Sequence, residues 1–199
     1  MCKVKRRKPY GNAGSARNPQ ELLSAGEALP VPQKAGSELV KRATTLVPDA
    51  FNSRSARVAI LFGKKHEAFW DGAYKAFGGK VARAKTDGFK AAAGTLLYFY
   101  DEAVVKTLQE NFPRYAENFP LWAREANAML QISIWAALRE LEIGANLQHY
   151  NPVVDELARR LTGSPASYKL LAQMPFGKIE APASVKEGES FELRVKVFE

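Results

Sequence analysis

The residues best suited to chemistry in this chain stand together in one short run, Ala145-Asn146-Leu147-Gln148-His149-Tyr150-Asn151-Pro152. Amides, an imidazole and a phenol are bracketed there by Gly144 and Pro152, the residue types that end a helix and keep it from resuming. Such a rigid turn can present backbone groups to a ligand. It can equally be an ordered connection between two helices, and spacing alone leaves both open. Other candidates are few. His66 and His149 are the only histidines and Cys2 the only cysteine, so no His/Cys set stands at metal-ligand spacing. The sequence has no Gly-x-Ser-x-Gly elbow, no Gly-Lys-Ser/Thr phosphate loop and no Gly-x-Gly-x-x-Gly fingerprint. The chain therefore either binds something or works through a cofactor that brings its own reactivity.

Charge is the second signal. The net charge of +8 is concentrated at the start, where Lys3, Lys5, Arg6, Arg7, Lys8 and Arg17 precede the first acidic residue, Glu21. A basic run of this kind serves as a solvated tail, a localisation signal, a nucleic-acid patch or a clamp for a phosphorylated ligand. The later basic residues are dispersed and no nucleic-acid motif accompanies them, which disfavours a nucleic-acid-binding module. At 46% hydrophobic and 25% charged, the 199 residues have the balance of a soluble globular chain. No run reaches the roughly eighteen apolar residues of a membrane span. A single cysteine excludes an intrachain disulfide framework and points to a reducing, cytoplasmic setting. The start also lacks the apolar core of a signal peptide.

The elements that must position the turn follow from periodicity. Residues 9–37 are rich in Gly, Pro, Ala, Ser and Asn around one apolar pair, Leu22-Leu23, and read as loop. A helix is expected from an N-cap at Ser37 to the break at Pro48, followed by an irregular segment over 48–55. Buried strands are expected at Arg57–Phe62, Thr95–Tyr100 and Tyr168–Met174, and an alternating strand at Phe191–Phe198. Helices are expected at His66–Phe77, Lys80–Ala92 and Glu102–Asn111, the last capped by Asp101, and at Pro152–Leu161, closed by Gly163. Residues 112–120 read as an aromatic, proline-bounded connection. The longest helix, Leu121–Ile143, is apolar on nearly every side, which places it at the centre of the domain or at a subunit interface. The fold class is α+β, with an arm over 1–36 and one domain over 37–199.

Several segments resemble a known family. Pro48-Asp49-Ala50-Phe51-Asn52-Ser53-Arg54 is similar to the Pro-Ser-x-x-Asn-Ser-Gln motif of FMN-dependent nitroreductases. Residues 87–101, Asn118-Phe119-Pro120-Leu121-Trp122, Leu147-Gln148-His149-Tyr150-Asn151-Pro152 and Gln173-Met174-Pro175-Phe176-Gly177 resemble the subgroup named for the yeast fatty acid repression mutant protein, which has lactic-acid-bacterial members. The resemblance runs in order from about residue 38 to the C-terminus. It implies a nitroreductase-like fold, a central antiparallel sheet flanked by helices, in an intertwined homodimer that exchanges its C-terminal strands. It also implies two FMN sites at the interface.

Residue by residue, the resemblance sets the backbone of Leu147, Gln148, His149 and Tyr150 against the flavin ring and Lys90 at the ring's polar edge. Pro48, Ala50, Asn52, Ser53 and Arg54 would reach the flavin from the second subunit. Arg194 and Lys196, on one face of the last strand, match a basic pair that contacts the FMN phosphate. Arg6-Arg7-Lys8-Pro9-Tyr10 resembles the family's N-terminal phosphate cluster, with Lys8 in place of a hydroxyl residue. Arg54 stands where the family has Gln, and Asp49 where Ser is common. A carboxylate beside an anionic cofactor calls for a guanidinium partner, Arg54 or Arg57. Phe112, Phe119 and Trp122 are expected either in the wall of an acceptor slot or in the core. No side chain is assigned as catalytic, since the flavin carries the redox chemistry. For His149 a packing or hydrogen-bonding role is favoured over general acid catalysis. The implied activity passes electrons from NADH or NADPH through FMN to a nitroaromatic or quinone-like acceptor in a ping-pong cycle. A flavin-binding regulator without efficient turnover is the alternative, together with the nucleic-acid module.

Overall fold

The computed structural model describes residues 22–24, 29–181 and 194–199. Strand β2 (Ala56–Phe62) pairs antiparallel with β3 (Gly94–Asp101), setting Ala56 opposite Tyr100 and Phe62 opposite Gly94. β3 pairs in turn with β5 (Tyr168–Ala181), with Asp101 opposite Tyr168 and Gly94 opposite Phe176. Two short strands, β1 (Leu22–Ser24) and β4 (Ile143–Ala145), also pair antiparallel with β5. Phe176 pairs with both Gly94 and Ala145, so β4 lies on the edge of β5 opposite β3. β5 is therefore the strand that ties the sheet together, and β2 is the outer strand on the far side of β3.

β3 is buried along its whole length, as its continuous apolar run predicts. Alternation sends Leu96 and Tyr98 to one face and Leu97 and Phe99 to the other. The first pair packs with Leu130, Ile134 and Leu138 of α5 (Phe119–Glu140) and Val40 of α1 (Gln33–Leu46). The second packs with Phe69 and Trp70 of α2 (Gly63–Phe77), Phe89 of α3 (Arg83–Lys90) and Ala158 of α6 (Asp155–Thr162). This is the expected α+β arrangement, an antiparallel sheet between helices. At the end of β3, Asp101 accepts a 3.2 Å hydrogen bond from the Ala103 amide and so caps α4 (Glu102–Asn111), as its position predicts.

Where β2, β3 and β5 meet there is no room to spare. A Cβ on Gly94 would lie 2.7 Å from the Phe176 ring and 2.8 Å from the Leu61 carbonyl oxygen. The backbone oxygen cannot step aside, so Gly94→Ala is expected to cost about 3 kcal/mol, the upper end of overpacking effects. Urea denaturation measures it. An unchanged midpoint would show that the two neighbouring strands part freely.

Several expectations are corrected. Leu22-Leu23, read as loop, belongs to β1. α1 begins at Gln33 behind Pro32, so Ser37 is no cap; its Oγ donates to the Gln33 carbonyl within the helix. Phe119-Pro120 opens α5 instead of preceding it, because a proline in the first turn lacks no donor the helix needs. α5 also stops at Glu140, short of Ile143. Glu142 takes a left-handed φ of 61°, and Ile143–Ala145 leave for the sheet, so Gly144 lies in a strand. The strand expected at Phe191–Phe198 is unformed where it is described. Residues 194–199 pair with no strand, and Phe198 is 89% exposed. An alternating strand holds only against an edge that accepts it, and residues 194–199 dock on none among the described residues.

The all-round apolar character of α5 has a related outcome. One side packs on the sheet, but Leu121, Met129 and Ile132 remain 54%, 43% and 51% exposed. Ala128 and Ala136 are exposed beside them. The described residues leave this stripe uncovered.

Candidate functional site

The turn after β4 is fastened to β5 along one side. The amides of Asn146 and Gln148 donate to the carbonyls of Pro175 and Gln173 at 3.0 and 2.7 Å, and Gln173 donates back to Gln148 at 2.9 Å. The side chain of Gln173, fully buried, completes the work. Its Oε1 accepts from the Tyr150 amide at 2.9 Å, and its Nε2 donates to Asn151 Oδ1 at 3.1 Å. Asn151 Nδ2 reaches the Leu170 carbonyl at 2.9 Å and Asp155 Oδ1 at 2.8 Å. Gln148 Nε2 also bonds Asn146 Oδ1.

Because alternate residues of extended backbone point to opposite edges, Leu147 and His149 turn their amides away from β5. Neither amide has a partner among the described residues. The outer edge of the turn thus offers two backbone donors. His149 is exposed and its ring bonds to no described residue.

Sequence reading passed over Gln173 as a site residue, although it opens the Gln-Met-Pro-Phe-Gly segment. Its role depends on a pairing across 23 residues, which no local pattern announces.

Lys90 is held at both ends by α2. Its carbonyl accepts from His66 at 3.0 Å, and its ammonium is 2.7 Å from Asp71 Oδ2. The proton positions around His66 follow from the donors. Trp70 Nε1 can only donate, so Thr95 Oγ1 accepts from it at 2.9 Å. Thr95 then gives its one hydrogen to His66 Nδ1 at 2.8 Å, which leaves the ring proton on Nε2 for Lys90. Burial lowers the His66 pKa, partly countered by the bond to Lys90, and keeps the ring neutral. The Asp71 carboxyl lies below its ordinary range, first through its hydrogen bond with Lys90. The ring of Tyr150 lies 4.6 Å from Phe77 and 6.5 Å from Phe89, joining the turn to the helix that carries Lys90. The Tyr150 hydroxyl is buried with no hydrogen-bond partner in the described structure.

The segment 48–54 is strained. Phe51, Asn52 and Arg54 all adopt left-handed φ angles, 58°, 49° and 49°. That conformation is rare for bulky side chains and persists where its surroundings enforce it. Asp49 enforces it here. Its Oδ2 accepts from Ser53 Oγ at 3.0 Å and from the Arg54 amide at 2.6 Å. The expected pairing of Asp49 with Arg54 or Arg57 is therefore replaced by an amide and a hydroxyl. Arg54 Nε donates instead to Asn52 Oδ1, and Arg57 to Asp101 and the Tyr168 hydroxyl.

The strained turn seats the Phe51 ring 5.0 Å from Phe112, 5.2 Å from Phe119 and 5.8 Å from Trp122, nearly parallel to the last. Tyr115 joins at 5.5 Å. Phe119 is core and Phe112 is surface, so the three expected slot residues are brought together but divided in role. Phe51, 46% exposed, is the aromatic residue that sequence reasoning missed. Without a glycine, nothing in the sequence marks a left-handed turn there.

These groups form two constellations. Residue 54 lies at the Ala56/Tyr100 end of β2 and β3, whereas Lys90 precedes the Phe62/Gly94 end. Six residues of strand put those ends about 20 Å apart. Arg194 and Lys196 are exposed, with no hydrogen bond or ion pair to either constellation among the described residues, and Arg6, Arg7, Lys8 and Tyr10 lie outside the described residues. No metal-binding cluster occurs among the described residues. The donors are amides and cations, a set suited to a planar, polar-edged, anionic ligand.

Comparison with known proteins agrees. Residues 27–178 match the Nitroreductase family. The chain is 32% identical over 166 residues to nitroreductase FRM2 of Saccharomyces cerevisiae, covering 81% of this chain and 83% of that protein. Nitroreductase CinD of Lactococcus lactis, solved in complex with nicotinic acid, superposes with a TM-score of 0.86 at 40% identity, covering 96% of this chain and all of that one. The same enzyme solved with 4-nitrophenol superposes equally well, at 39% identity and the same coverage of both chains. With the family match, the relatives' identity and the fold in agreement, this chain belongs to the nitroreductase family.

Proposed function

We propose that the protein is a cytoplasmic, homodimeric FMN enzyme that takes a hydride from NADH or NADPH and passes electrons to nitroaromatic or quinone-like acceptors in a ping-pong cycle. The separation of the two constellations carries this reading. A flavin held by one of them can meet the other only in a second copy of the chain. The uncovered stripe on α5 suits that copy, and the exposed residues 194–198 of each chain suit an exchanged strand.

The outward amides of Leu147 and His149 suit the acceptor atoms of a flavin ring, and Lys90 suits its polar edge. Asn52, Ser53 and their neighbours approach from the other copy, and Arg194 and Lys196, with the N-terminal basic residues, neutralise the phosphate. FMN, when bound, supplies the hydride and electron transfer. The protein orients the ring, fixes donors before reaction and shields the face where acceptors stack. Phe51, Phe112 and Trp122 form an aromatic surface fit for flat acceptors. That CinD has been solved with 4-nitrophenol is consistent with this acceptor class. No helix among the described residues is long and apolar enough to cross a membrane.

The test is complementation. His149→Pro removes an amide with no internal partner, and Asn52→Arg blocks the approach from the other copy. Each homodimer should be nearly inactive in NADPH-dependent nitroaromatic reduction. Co-expressed, they should recover about a quarter of wild-type activity, because random pairing restores one site in half of the dimers. No recovery would place the whole site in one chain. Flavin bound without turnover in the wild type would favour the regulator instead.

A further inference from the structure

Lys90 is one of the few cations assigned to the flavin, and it does not stand alone. Its ammonium is 2.7 Å from Asp71 Oδ2, with both side chains about one third exposed, 32% and 38%. Asp71 has only a long contact to Arg83, 3.5 Å, and Arg83 has a closer carboxylate in Asp87 at 2.8 Å. The charge of Asp71 is thus directed mainly at Lys90. The other end of Lys90 is fixed by His66, itself locked to Thr95. α2 therefore determines both where this ammonium sits and how much of its charge is left unbalanced.

We propose that Asp71 is a positioning residue that tunes the electron affinity of the bound flavin by partly neutralising Lys90. This rests on the reading above that Lys90 faces the polar edge of FMN. Hydride uptake adds electron density to that edge, so a free cation there favours the reduced ring and a neutralised one favours it less. The carboxylate 2.7 Å away keeps the ring a stronger reductant, suited to acceptors that are hard to reduce. A merely structural ion pair at this exposure would stabilise the fold slightly and leave the flavin untouched.

The experiment measures the midpoint potential and dissociation constant of FMN in the full-length wild-type, Asp71→Asn and Lys90→Ala proteins. Asp71→Asn is expected to favour the reduced flavin about tenfold, an upward shift of about 30 mV for a two-electron couple. Lys90→Ala is expected to shift the potential downward and to weaken FMN binding. A shift with Lys90→Ala and none, or a downward one, with Asp71→Asn overturns this inference while leaving the site assignment in place. No change in affinity or potential with Lys90→Ala overturns the placement of Lys90 itself, and this inference with it. Both side chains are about one third exposed, so far-UV circular dichroism should match the wild type in each variant and melting without FMN should fall by no more than a few degrees.

Discussion

Replacing Arg194 and Lys196 together with Ala should lower FMN affinity by about two to four decades and leave the fold unchanged. Both residues are exposed and bond to no described residue, so removing them leaves no group of the fold stranded. In the proposed dimer their charges face a phosphate, where two cations in place compensate an anion that would otherwise stay in water. The loss should grow smaller as salt rises, because added ions screen the wild-type contact but have nothing to screen in the variant. Fluorescence titration with FMN at two ionic strengths measures both effects. Unchanged affinity would transfer the phosphate contact to Arg6 and Lys8.

The second large effect is expected from Gln173→Leu, a change at a side chain that need not touch the flavin at all. It strands the Tyr150 amide and Asn151 Oδ1, two polar groups beside a buried position. Each unsatisfied group costs about 1–3 kcal/mol. The protein should lose about 3 kcal/mol of stability and, with the turn released, about a hundredfold in FMN affinity. His149→Gln is the contrasting case. If the amide and not the ring serves the flavin, that variant should keep nearly all of its turnover and an unchanged pH profile. General acid–base catalysis is worth about 10²–10⁴-fold, so a loss of that size, measured at saturating FMN, would make the imidazole a proton donor.

Much of this architecture is legible before folding. β3 is a run of buried residues because it is sandwiched, and Asp101 and Gly163 end their elements where local geometry requires an acceptor or a left-handed residue. The segment 147–150 is marked as a connection by its run of amides before Pro152, although Gly144, read as the helix-ending residue, lies in β4. What escapes is whatever depends on partners distant in sequence. Gln173 looks like one more strand residue until β5 lies against the turn, and His66 like a helix residue until Thr95 and Lys90 arrive. Glu142 and Phe51 turn left-handed without glycine, the latter inside a turn closed by Asp49. Asp49 escapes for a local reason, since its partners Ser53 and Arg54 lie only four and five residues on. A charge-pair argument gives it an arginine, whereas the tight turn gives it an amide.

The place of β5 in the sheet also bears on how the chain comes off the ribosome. It pairs with β1, β3 and β4, yet it begins 67 residues after β3 ends, at Tyr168 against Asp101. At about 5–20 residues per second, β3 would wait roughly 3–13 s with one edge unpaired. Over that interval a nascent chain has α2 and α3 for one face of β3 and gains α5 for the other, but has nothing to close its edge. Synthesis of this protein should therefore lean on chaperones that hold apolar strands until the last quarter of the domain has been made, and slowing translation between the codons of β3 and β5 should raise aggregation.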